Sequence, residues 1–161
     1  MVTIANYLYA AAESGFYSKD DWQRWADNQI LNNEIVEDWI YDVALAGDIS
    51  SLANVISDKM IDEDYYRYNE FSITDAVIGY YYLLYTVNRM TLYDLITKSG
   101  QASDASGQCL LDCEQFYDLL NEIDSNEYLK TDSNFLNRIH VMFKQFEIVA
   151  ENQKEILEKY L

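Results

Sequence analysis

The chain has 161 residues, of which half are hydrophobic and 15% aromatic, with 28 Asp plus Glu against 11 Lys plus Arg and a net charge of −17. That balance argues against direct binding to a phosphate backbone, which depends on Lys and Arg neutralising phosphates, and the apolar content argues against disorder. With no proline and five glycines, the chain has few breakers, so an all-α fold is expected: a compact bundle of about seven or eight helices forming one domain over 1–161.

In chain order, Thr3 is expected to cap a helix over 4–13, which Gly15 ends. Ser18 opens a second helix, with Asp21 completing a capping box, and Asn32-Asn33 breaks it. A third helix is expected over 34–46, with Ile35, Trp39, Val43 and Ala46 inward and Gly47 as the stop. Asp48 or Ser50 caps a fourth through Met60. The run Asp62-Glu63-Asp64-Tyr65-Tyr66-Arg67-Tyr68-Asn69-Glu70 has no clean period and is expected to be a long exposed connection.

Residues 73–90, ITDAVIGYYYLLYTVNRM, are apolar on nearly every side and are expected to form the central helix. Ser72 is its candidate cap and Asp75 suits its N-terminal dipole end. Its roughly 27 Å length would cross a bilayer, but its polar interruptions argue against a membrane span. Thr91 caps a helix over 92–98 that Gly100 ends. QASDASGQ, 101–108, is expected to be a mobile loop or subdomain boundary. Further helices are expected over 109–123 and, capped by Ser133, from 134 to about Tyr160, separated by a polar turn.

Motifs that would carry chemistry are missing. His140 is the only histidine, too few for a usual zinc site or a serine triad. Cys109 and Cys113 are spaced as C-x-x-x-C, on one helix face, and read as small thiols rather than a metal site or a disulfide framework. Glu34, Glu37, Asp38 and Asp42 form one carboxylate row and Asp112, Glu114, Asp118 and Glu122 another. Such rows can hold a cation or act as a glycosidase pair, but they alternate with core positions as solvated helix faces do. Asp124-x-Asn126 opens like a calcium loop, but Phe135 occupies its twelfth position. No residue is assigned to catalysis, to a metal or to a cofactor, and the protein is read as a non-enzyme. Without a leader or lipidation signal, a reducing cytoplasm is the expected location.

The acidic and tyrosine-rich surface is the most informative feature. Fifteen tyrosines exceed what one core needs. Tyrosine gives contact area at low entropy cost, and carboxylates beside it suit an Arg- or Lys-rich target. The expected contact residues are Asp62, Glu63, Asp64, Tyr65, Tyr66, Tyr68 and Glu70, with Asp38 and Asp42. Charge reversal at Asp62, Glu63 and Asp64 is expected to weaken partner binding without unfolding the domain.

The stretch Trp22-x-x-Trp25-Ala26-Asp27-x-x-Ile30, followed by Trp39-Ile40-Tyr41-Asp42-x-Ala44, resembles the opening of small acidic helical bacterial proteins of unknown function, some of them similar to immunity proteins encoded beside toxins. The resemblance covers about a quarter of the chain. It implies an inhibitor that docks on a basic partner such as a nuclease toxin. The alternatives are a phage-encoded nucleic-acid mimic that blocks a host defence complex, as anti-CRISPR proteins do, a subunit of a homodimer or larger oligomer, and an enzyme or metal protein built on the carboxylate rows.

Overall fold

The computed structural model describes residues 1–159. Among them the fold is all-helical, with nine α-helices, one 3-10 helix and no strand. The helices are α1 (Ile4–Glu13), α2 (Lys19–Asn32), α3 (Asp38–Leu45), α4 (Ile49–Glu63), α5 (Tyr65–Tyr68), α6 (Ile73–Thr86), α7 (Leu92–Ser106), α8 (Cys113–Ser125) and α9 (Ser133–Lys159), with the 3-10 helix at Glu127–Thr131. The expected end of α9 at Tyr160 lies outside the described residues. The chain divides into two units, Met1–Ile73 together with the segment from Asn152, and Thr74–Glu151.

The first unit holds α1 to α5 and the last turns of α9. Ser18 caps α2 as expected: its hydroxyl accepts from Asp21 N, and the Asp21 carboxylate takes the Ser18 N–H at 2.8 Å. This reciprocal box satisfies two donors that would otherwise be orphaned. Trp22 is buried, and its indole N–H donates to the Ala46 carbonyl at 3.0 Å, which Gln23 also reaches at 3.0 Å. These bonds fasten α2 to the end of α3. Asp48, not Ser50, caps α4, accepting from Ser51 N at 2.7 Å.

α3 is shorter than expected. It begins at Asp38, and Ile35, placed on its apolar stripe by sequence, is 91% exposed. The carboxylate of Glu37 explains the late start. It accepts from Lys59 Nζ and from Trp39 Nε1, both at 2.7 Å, so the chain before α3 is tied to α4 instead of continuing the helix backward.

In the second unit, α6 buries nine of its residues, in keeping with its apolar sequence. It stops at Thr86, short of Met90. Asn88 adopts a left-handed conformation at φ 59°, Arg89 N–H donates to Leu84 O at 2.9 Å, and Asn88 N–H donates to Tyr85 O at 3.1 Å. This is a Schellman stop with Asn in the position glycine usually fills. Gly79 lies against α9: a β-carbon there would sit 2.0 Å from the Phe146 carbonyl oxygen and 2.7 Å from Ala150 Cβ. Around this contact Ile78, Tyr82, Ile96, Phe116, Phe143 and Phe146 form one core cluster.

The segment expected to be a loop over 101–108 is helical through Ser106. Gly100 does not end α7. It is buried, and a β-carbon there would meet Tyr117 Cε1 at 2.7 Å, so its small size admits the packing of α8. The stop is Gly107, at φ +63°, a conformation that glycine adopts without steric cost. α8 correspondingly starts at Cys113 rather than Cys109. Between them, Ser103 Oγ–H donates to Leu111 O at 2.7 Å and Leu110 N–H donates to the buried carboxylate of Asp75 at 2.9 Å. These backbone groups are held by α6 and α7 and are not free to extend α8. Cys109 and Cys113 therefore do not share a helix face, and both are free thiols. At α9 the cap is Asp132, one residue before the expected Ser133, accepting from Phe135 N at 2.9 Å.

Candidate functional site: an acidic tyrosine corner

The run 62–70 is not a loose connection. α4 continues through Glu63, turns once at Asp64 with φ 49° and ψ 63°, and resumes as the single turn of α5. Asp is among the few non-glycine residues that tolerate this left-handed conformation. The result is a sharp corner whose residues alternate between anchors and exposed side chains.

The anchors are Glu63 and Tyr65, each only 4% exposed. Both are corrected as contact candidates, because neither presents a surface to a partner. Glu63 Oε1 accepts from Ala5 N at 2.8 Å. Its Oε2 accepts from Asn6 N at 3.1 Å and from Asn6 Nδ2 at 2.8 Å. Ala5 and Asn6 are the second and third residues of α1, and their N–H groups are those an N-cap side chain would satisfy. Thr3, the expected cap, makes no side-chain cap bond; its hydroxyl instead accepts from Asn69 Nδ2 at 3.1 Å. A carboxylate at this end of α1 also suits the helix dipole.

Tyr65 is held from several sides. Its hydroxyl accepts from Gln153 Nε2 at 3.1 Å, and its carbonyl accepts from Asn69 Nδ2 at 2.8 Å. Tyr7 donates to Asn69 Oδ1 at 2.8 Å and packs edge-on against the Tyr65 ring at 6.3 Å. The turn is thus bound to α1 and α9 by groups that are mostly buried, where hydrogen bonds are strongest and hardest to replace by water.

Asp62, Asp64, Tyr66, Tyr68 and Glu70 are exposed. The Tyr66 ring rests edge-on against Tyr65 at 5.3 Å, and Arg67 lies over the Tyr68 ring at 5.5 Å. Asp38 and Asp42 are also exposed, one turn apart on α3. The Glu37–Lys59 pair joins the start of α3 to α4 one turn before Asp62. The Lys59 hydrogen bond, with that from Trp39, holds the Glu37 carboxyl below its usual range.

The remaining candidates lie apart from the corner. His140 is exposed on α9, with Nδ1 2.7 Å from the Tyr82 hydroxyl. Burial, with Glu147 and Tyr85 nearby, pushes Tyr82 up to about 12. Of the second carboxylate row, Glu122 pairs with Arg138 in a two-pronged contact at 3.1 Å. Asn126 accepts from Tyr128 N, making a turn rather than a calcium loop. Among the described residues no group of three His, Cys, Asp or Glu side chains is placed to hold a metal ion, and no helix is long and apolar enough to cross a membrane.

Glu63 as the cap of α1 was invisible in the sequence because its partners lie 57 and 58 positions away. A sequence signal existed only in negative form: a Thr3 start without Glu or Gln three residues later is an incomplete capping box. The chain matches no family model, no curated protein and no solved structure.

Proposed function

We propose that the protein is an acidic protein-binding module, of the inhibitor or immunity type, that neutralises a basic partner such as a nuclease toxin in a reducing cytoplasm. The observation that carries this reading is the corner at Asp64: Asp62, Asp64, Tyr66, Tyr68 and Glu70 are exposed while Glu63 and Tyr65 are locked beneath them. A preformed surface loses little entropy on association. Carboxylates interleaved with tyrosines offer Arg and Lys both ion pairs and ring faces. The overall charge of −17 adds long-range attraction and a fast, salt-sensitive encounter.

The test is capture of partners from the native host. It uses the wild-type protein, a corner variant (Asp62→Lys, Asp64→Asn, Glu70→Lys) and a control with similar charge change on α8 (Asp118→Lys, Asp124→Lys). The reading expects a basic protein held by the wild type and the α8 control, released by salt, and lost from the corner variant. Equal loss from both variants would show that bulk charge alone is at work, and retention by the corner variant would place the contact elsewhere.

A further inference from the structure

The outer face of α3 is a different surface from the acidic corner. Helix positions three and four apart share a face, so Asp38, Tyr41, Asp42 and Leu45 form one stripe, and all four are exposed. Tyr41 is 46% and Leu45 82% exposed, and Ile35, 91% exposed, stands three residues before Asp38. Chain geometry alone holds the Ile35 Cα within about 11 Å of that of Asp38. A lone exposed leucine needs no explanation. Here two large apolar side chains one turn apart lie beside two carboxylates one turn apart.

The stripe is held from behind. Val43 and Ala46, on the opposite side of α3, are buried. The Ala46 carbonyl accepts from Trp22 and Gln23 at 3.0 Å each, and the Trp39 ring lies 6.0 Å from that of Trp25. The hold of Lys59 and Trp39 on Glu37 fixes the start of the helix. Such a surface needs little ordering when a partner arrives.

Its charge is uncompensated. From Trp25 to Asp58 the sequence has no Lys, Arg or His against seven Asp and Glu. Over residues 19–63, which span α2, α3, α4 and their connections, eleven carboxylates stand against Lys19, Arg24 and Lys59. Of these cations Lys59 is taken by Glu37 at 2.7 Å, and Arg24 lies 3.8 Å from Asp21. Among the described residues no ion pair holds Asp38 or Asp42.

We propose that this face docks a cationic amphipathic helix of a partner protein, with apolar side chains one turn apart flanked by Lys or Arg at the same spacing. Four residues of helix rise roughly 6 Å, so a facing helix repeats both rows: its apolar side chains cover Tyr41 and Leu45 while its cations meet Asp38 and Asp42. A second copy of the chain is the wrong occupant. It carries the same stripe and the same charge of −17, and a two-fold pairing sets like carboxylates against each other. The same carboxylates repel nucleic acid and anionic lipid. The proposal does not rest on the corner, and either surface can fail with the other intact.

The probe is an acetylated, amidated peptide of about four helical turns, with Leu on one face and Lys on the other. Its control has the same composition shuffled so that no apolar face forms. Each is titrated into ¹⁵N-labelled full-length protein while the backbone amide resonances are followed. Three variants repeat the titration: Tyr41→Gln with Leu45→Gln, Asp38→Asn with Asp42→Asn, and, as a charge control on α8, Asp118→Asn with Asp124→Asn. The expected result is a saturable shift centred on residues 38–45 with the amphipathic peptide, and binding of the shuffled peptide about tenfold weaker or less. Losing the apolar pair weakens binding about tenfold, as for one large side chain left unburied. Losing the acid pair weakens it about threefold, and more at low salt, while the α8 control stays within about twofold. The proposal is overturned if the shuffled peptide binds as tightly, or if neither peptide moves residues 38–45 at about 1 mM. It is also overturned if light scattering shows a dimer that Tyr41→Gln with Leu45→Gln abolishes. Shifts confined to 62–70 would support the corner and sink this surface. Where a variant fails to fold, the two peptides on the wild type decide.

Discussion

Glu63 and Asn6 are joined twice: one carboxylate oxygen accepts both the backbone N–H of Asn6 at 3.1 Å and its side-chain amide at 2.8 Å. The last residue of α4 thereby caps the first turn of α1, and the acidic corner is built on that joint. The joint gives a sharp prediction. Glu63→Ala leaves the N–H groups of Ala5 and Asn6 buried without an acceptor and should lower stability by about 3 kcal/mol, given the worth of hydrogen bonds to charged groups. Glu63→Gln keeps part of the geometry and should lose roughly half as much. Urea denaturation measures both. A loss below about 0.5 kcal/mol for Glu63→Ala, the range of ordinary surface substitutions, would mean that water replaces the carboxylate freely. It follows that charge reversal at Glu63 cannot test partner binding, because it attacks the fold.

Asp64 separates conformation from charge. Asp64→Gly removes the carboxylate but suits φ 49°, so stability should hold to within about 0.5 kcal/mol. Asp64→Ala removes the same charge and should cost about 1 kcal/mol, because alanine resists the left-handed region. Thermal melts compare the pair. Equal stability of the two variants would show that the corner relaxes away from this geometry.

Close helix packing makes the second unit intolerant of added bulk at two glycines. Gly79→Ala would place its methyl 2.0 Å from the Phe146 backbone carbonyl, so α6 and α9 must separate. The expected loss is about 3 kcal/mol, at the upper end for overpacking. Gly100→Ala meets the Tyr117 ring at 2.7 Å, a side chain able to move, and should lose nearer 1 kcal/mol despite alanine's better helix propensity. Stabilisation by either substitution, read from denaturation midpoints, would contradict the close approach.

Two tyrosines link stability to alkaline pH. Burial, then Glu158 and Asp21, push Tyr17 up to about 12, and burial with Glu147 and Tyr85 does the same for Tyr82. In each case the folded state holds the phenol proton more tightly than the unfolded chain, whose tyrosines ionise near the ordinary value of 10.0. The contribution of the neutral phenol is therefore fully present below pH 10 and is lost as pH rises through about 12. Wild-type stability should fall across that window, and Tyr17→Phe should flatten the fall. Tyr82→Phe should flatten it as well, after an initial loss from the missing bond to His140 Nδ1. A fall of unchanged slope in both variants would place the alkaline transition on other groups.

Helical class and most helix starts were legible because their signals are local. The Ser18–Asp21 box, Asp48 and Thr91 each act on residues three positions away. What sequence could not show was set at long range. Ile35 belongs to no helix because Lys59 and Trp39 capture Glu37. α7 runs past Gly100 because the glycine makes room for Tyr117. Of the expected contact residues, Asp62, Asp64, Tyr66, Tyr68, Glu70, Asp38 and Asp42 are exposed, whereas Glu63 and Tyr65 turned inward. Periodicity failed over 62–70 because a single left-handed residue resets the helix phase there.

The most direct measurement is calorimetric titration of the captured basic partner into the wild type and into the Asp62→Lys, Asp64→Asn, Glu70→Lys variant at two salt concentrations. The account predicts at least a tenfold weaker Kd for the variant, a shallower salt dependence and an unchanged melting temperature. An unchanged Kd in a folded variant would contradict it.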